Sequence, residues 1–91
     1  MTGSPYPPFY YHTPQIAKKH GFARYWKGKG LSIYVHNKKK TIILFSGTEP
    51  ATLVQISRDG EILDEFFLDE LTAKMPIHEA LEKVFEYASL L

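Results

Sequence analysis

The sequence predicts an α+β fold, with a single antiparallel β-sheet of four or five strands, a C-terminal helix packed on one face and a short N-terminal helix. Short apolar stretches between positions 22 and 68 are separated by turn residues, which is typical of strands joined by tight connections. Towards the C-terminus, apolar side chains instead recur at helical spacing. The 91 residues predict one domain, 1–91.

The first twelve positions are rich in proline and aromatic residues. Pro5, Pro7 and Pro8 disfavour a helix, so we expect residues 1–12 to form an extended arm. Its aromatic side chains would cover an apolar patch of this domain or of a dimer mate, or contact a ligand. The segment lacks the basic and apolar regions of a signal peptide.

A short helix is predicted after the arm, at 14–20. Thr13 suits the N-cap and Pro14 the first helical position. Gly21 favours the left-handed conformation in which many helices end.

Strands are predicted next, separated by a Gly-rich corner, a basic turn, a loop and an Asp-Gly hairpin turn. Their ranges are 22–27, 31–36, 41–46, 52–57 and 61–68. Apolar residues within 61–71 also fit helical spacing, so a helix is the alternative there. Residues 69–76 are predicted to be a polar connection.

The C-terminal helix is predicted at 76–90. Its apolar stripe should pack on the sheet. The stripe consists of Ala80, Leu81, Val84, Phe85 and Ala88. If Leu31, Ile33 and Val35 face this helix, Tyr34 and His36 lie on the open face of the sheet.

Charge is divided unevenly along the chain. Residues 1–46 contain eight Lys and Arg and no Asp or Glu, whereas residues 47–91 contain all ten acids. Such asymmetry indicates polyanion binding. The alternative is that the two halves fold together and neutralise one another.

The first half therefore contains the candidate nucleic-acid-binding residues. Non-specific binding of single strands needs a cationic track and aromatic faces on which bases stack. We expect the lysines to lie near one another, with Tyr34 and either Tyr25 or Trp26 exposed between them. The alternative is that the aromatic residues belong to the core or to a dimer interface. The full candidate set is Arg24, Tyr25, Trp26, Lys27, Lys29, Tyr34, Lys38, Lys39 and Lys40.

Catalytic and metal-binding patterns are weak. The four histidines show no metal-ligand spacing, and the chain has no Cys. Ser32 and His36 are about 13 Å apart on one strand, too far for a nucleophile–base pair. We therefore predict a protein that is not an enzyme and that has no cofactor or metal.

Two function classes remain open. The first is weakly sequence-specific nucleic-acid binding, preferentially to single strands. The second is protein–protein interaction, as a module or a small inhibitor that originates from a mobile element and docks on a partner protein. We also expect a homodimer, because so short a chain has a small core. The sequence predicts no membrane association and a cytoplasmic location.

Overall fold

The computed structural model describes residues 12–28, 30–47 and 52–91, which form a five-stranded antiparallel sheet with helices on one face. Each strand pairs with the next one in the chain. The strands are β1 (Phe22–Gly28), β2 (Leu31–His36), β3 (Ile42–Ser46), β4 (Leu53–Arg58) and β5 (Glu61–Phe67). The helices are α1 (Thr13–Lys19), α2 (Asp69–Thr72) and α3 (Ile77–Leu90). The predicted fold class is confirmed.

Most of the predicted elements are confirmed with small shifts of their ends. The strand prediction for the segment after the Asp-Gly turn is right, and the helical alternative is wrong. Asp59 and Gly60 both have positive φ, 54° and 79°, as a type I′ hairpin turn requires. The predicted arm at 1–12 lies almost wholly outside the described residues.

Two predictions are wrong, one about the start of α1 and one about the segment before α3. Thr13 is the buried first residue of α1, and His12 occupies the N-cap without a side-chain capping bond. The segment 69–76 is more than a polar connection, because it contains α2. Asp69 and Glu70 occupy the first turn of α2, where negative charge complements the helix dipole.

Phe85 of α3 lies at the centre of the core. Its ring is 5.4 Å from that of Phe22, 5.3 Å from that of Tyr34 and 5.8 Å from that of Phe45, measured between centroids. The whole predicted stripe of α3 is buried. These contacts join α3 to β1, β2 and β3, and they fix the face of the sheet that the helices cover.

The predicted orientation of β2 is wrong. Tyr34 is only 1% exposed and packs against Phe45 and Phe85, on the helix side of the sheet. Leu31, Ile33 and Val35 therefore lie on the other face. The cause lies in β3, which is apolar on both faces, so that alternation in β2 alone could not identify the covered side.

Candidate interaction surfaces

The predicted cationic residues do not form one cluster. Lys27 pairs with Ser32 near one end of the β1–β2 hairpin. Lys38, Lys39 and Lys40 follow β2 at the opposite end, about 17 Å away at ~3.3 Å per residue. The expectation that these lysines lie together is therefore wrong. Lys29 lies outside the described residues.

Only part of the predicted aromatic set is exposed. Tyr34 is buried, so it offers no face for a base to stack on. Tyr25 is 75% exposed where the β1–β2 register shifts, and Trp26 is 49% exposed. Arg24 is exposed on the same edge strand.

The face of the sheet opposite the helices, named here the open sheet face, is largely aliphatic. On the three central strands it consists of half-buried side chains without charge. Register places Ile33 beside Leu44 in its middle. The aliphatic residues are Leu31, Ile33, Val35, Ile42, Leu44 and Leu53, and the polar ones are Ser46, Gln55 and Ser57.

The two edge strands extend the open sheet face with aromatic side chains. Trp26 pairs with Ile33, and its ring lies over Gly28 so closely that a Cβ there would be 2.0 Å from the ring. At the opposite edge of the sheet, Phe67 of β5 is 47% exposed and pairs with Leu53. Apolar surface thus continues across all five strands.

Glu65 of β5 brings a carboxylate to the border of this face. Its side chain accepts a 2.9 Å hydrogen bond from the Gln55 amide. The charge therefore lies at an edge strand, while the centre of the face stays free of charge.

The turn after β2, named here the basic turn (residues 37–40), is organised by His36. The His36 Nδ1 accepts hydrogen bonds from the backbone N–H groups of Lys38 and Lys39, both 3.1 Å. Desolvation lowers the pKa of His36, and Lys39, Lys38 and Arg58 lower it further by repulsion. His36 therefore favours its neutral form, which keeps Nδ1 available as an acceptor.

Some basic side chains have structural partners. Lys39 Nζ donates a hydrogen bond to the Ser89 carbonyl in the last turn of α3, where a cation complements the helix dipole. Lys19 forms an ion pair with Glu82. The ion pair supports the alternative that the two halves of the chain neutralise one another.

His20 and Glu82 form a histidine–carboxylate pair, with 2.8 Å between Nε2 and Oε1. The pair joins the end of α1 to α3. The bonds from His20 and then Lys19 lower the pKa of Glu82. Because both partners and Lys19 are engaged in holding two helices together, the pair has a structural explanation.

The described part of the chain contains no group of three or more His, Asp or Glu side chains that could hold a metal ion. Among the same residues, no helix has the length and apolarity to cross a membrane.

Comparison with protein-family models, curated proteins and solved structures finds no significant match to this chain.

An open sheet face was predicted, but its aliphatic character was not, although the sequence contains a signal for it. Residues 42–45 are four consecutive apolar residues, so both faces of β3 carry apolar side chains. Strands that are apolar on both sides are typical of sheets covered on both sides. The helices cover only one face of the sheet, so the apolar side chains on the other face of β3 have no partner among the described helices.

Proposed function

We propose that this chain is a non-enzymatic protein-interaction module that docks through the open sheet face. The observation that carries this proposal is the aliphatic, charge-free centre of that face. Contiguous apolar patches of more than a few hundred Å² are uncommon on monomers and mark interaction sites. Five strands ~4.8 Å apart and about 17 Å long present roughly 400 Å² in projection.

The occupant that we propose is a second copy of this chain. A face without central charge meets its own copy without like-charge repulsion, as a two-fold interface requires. The projected area is about half of the ~800 Å² that each partner of a stable complex contributes, and the relief of the side chains adds to it. Two sheets would then pack ~10 Å apart, with the helices outside.

The test is the mass of the full chain in solution, measured by sedimentation velocity from micromolar to millimolar concentration. We expect twice the chain mass of 10.5 kDa at the upper end. Leu44→Lys places a charge at the centre of the face and should weaken association by about 100-fold, since a desolvated unpaired charge costs several kcal/mol. Circular dichroism verifies that the variant is folded.

Leu90→Lys is the matched control, because Leu90 is 78% exposed on α3, away from the open sheet face. It should dimerise like the wild type. A wild-type chain that stays monomeric at millimolar concentration would exclude a second copy as the occupant of the open sheet face. Residues 1–11 or another protein would then be the candidates for covering this face. Equal loss of association in both variants would place the interface elsewhere.

Nucleic-acid binding is the second candidate function, supported by the basic turn. Lys38 and Lys39 lie beside His36 and close enough to Arg58 for these cations to affect one titrating group together. We expect single-stranded oligonucleotides to bind with a salt slope that replacing Lys38, Lys39 and Lys40 by Ala reduces. A fluorescence titration that detects no binding at low salt would end this candidate. The cytoplasmic location remains a prediction.

A further inference from the structure

A second apolar surface lies on the helix side of the sheet, between α3 and β5. It is a groove of about 560 Å³. Phe66, Leu71 and Val84 contribute its apolar lining, and Leu90 extends this surface at the end of α3. The volume is within the ~300–1,000 Å³ range of ligand sites. We call this surface the acidic groove because carboxylates belong to its lining.

Carboxylates outnumber cations around the acidic groove. Asp64, Glu70 and Glu86 belong to its lining, and among the described residues Lys83 is the one basic residue in it. The Tyr87 hydroxyl donates a hydrogen bond to Asp64. That bond, followed by the one from the Glu65 backbone, lowers the pKa of Asp64, so its carboxylate is ionised at neutral pH.

We propose that the acidic groove binds a basic amphipathic helix of a partner protein. The groove follows α3 from Lys83 to Leu90, which is about 10 Å at 1.5 Å per residue. That length accommodates the i, i+3 or i+4 and i+7 apolar anchors by which amphipathic helices dock in grooves. Lys and Arg beside the anchors would face the carboxylates, and Tyr87 offers an aromatic face to a cation.

This inference does not depend on the open sheet face, and its test separates the two surfaces. The probe is a fluorescein-labelled peptide of about 15 residues, with Leu at the anchor spacing and Lys elsewhere. We expect the fluorescence anisotropy of the peptide to rise to saturation as protein is added, and the affinity to fall as salt is raised. In NMR spectra of the protein, the backbone amides whose chemical shifts change should belong to β5, α2 and the second half of α3. A Leu/Glu peptide of the same pattern should not bind, because it repels the carboxylates.

Charge reversal tests the role of the carboxylates. Glu70→Lys combined with Glu86→Lys should weaken binding about tenfold or more, because two attractions become repulsions. Glu79→Lys is the matched control on the exposed first turn of α3, and it should change affinity less than about twofold.

The inference would be overturned by absence of Leu/Lys peptide binding at low salt, by equal weakening in Glu79→Lys, or by loss of binding in Leu44→Lys with shifts on the open sheet face. Shifts of groove amides that depend on protein concentration without peptide would assign the groove to a second copy, and would likewise overturn it.

Discussion

Replacing Phe85 by Ala should remove the side chain around which the core is built. Phe85 is fully buried and contacts rings from three strands. Lost burial costs about 1.5–3 kcal/mol. A residual cavity of up to ~100 Å³ adds about 2 kcal/mol at ~24 cal/mol per Å³. We therefore expect the free energy of unfolding to fall by about 4 kcal/mol.

A loss of this size is a large part of the total stability, which is about 5–14 kcal/mol for a chain of this length. At ~2.1 cal/mol/K per residue, it corresponds to a Tm lower by about 20 °C. Phe85→Leu keeps most of the volume and should cost about 1–2 kcal/mol, so it remains measurable if Phe85→Ala does not fold.

Urea unfolding followed by circular dichroism measures both changes, at one protein concentration because dimerisation would contribute to stability. Leu90→Ala is the control on the same helix, and it should cost less than about 0.5 kcal/mol because Leu90 is mostly exposed. If Phe85→Ala costs no more than Leu90→Ala, the core assigned to α3 is wrong.

Two further predictions concern single contacts. Glu82→Gln removes a carboxylate whose pKa is held below 4.5 by its partners on α1, so its contribution is present at neutral pH and is lost as pH falls through that lowered pKa. Acid titration of the wild type and the variant, followed by circular dichroism, should therefore show a stability difference at pH 7 that shrinks below about pH 4.5; a constant difference would contradict this. Gly28→Ala should displace the ring of Trp26, whose nearest atom is 2.0 Å from a Cβ built at that position. A displaced ring would be more exposed to water, so its fluorescence emission should shift to longer wavelength. Trp26 is the only Trp, so the emission reports on this ring alone, and an unchanged spectrum would argue against the contact.

The fold was largely predictable because its elements are specified locally. The Asp-Gly turn fixes the last hairpin, and the spacing of Leu81, Val84 and Phe85 identifies the buried face of α3. The face of β2 was not predictable in the same way. Either side of β2 could meet apolar neighbours in β3, and the packing of Tyr34 against Phe45 and Phe85 shows which side the helices cover.

The candidate site was predicted less well than the fold, because a surface depends on which residues the folded chain brings together. Lys27 and Lys38 are near one another in the sequence, but they lie at opposite ends of β2 in the fold. The acidic groove combines Asp64 of β5 with Glu86 of α3, which are 22 positions apart in the sequence. No local pattern indicates such a combination.

The sequential strand order also has a consequence for folding kinetics. Each strand finds its partner immediately before or after it in the chain, whereas Lys19 and Glu82 are 63 positions apart. Closing that loop costs about 2–3 kcal/mol more in chain entropy than closing a four-residue turn. Phe22 and Phe85 are equally far apart in the chain, so we expect the sheet to assemble first and the contacts that join α3 to β1 and α1 to form late. A contact made after the transition state slows unfolding without speeding folding, so the contacts between α1 and α3 would slow the unfolding of the finished protein.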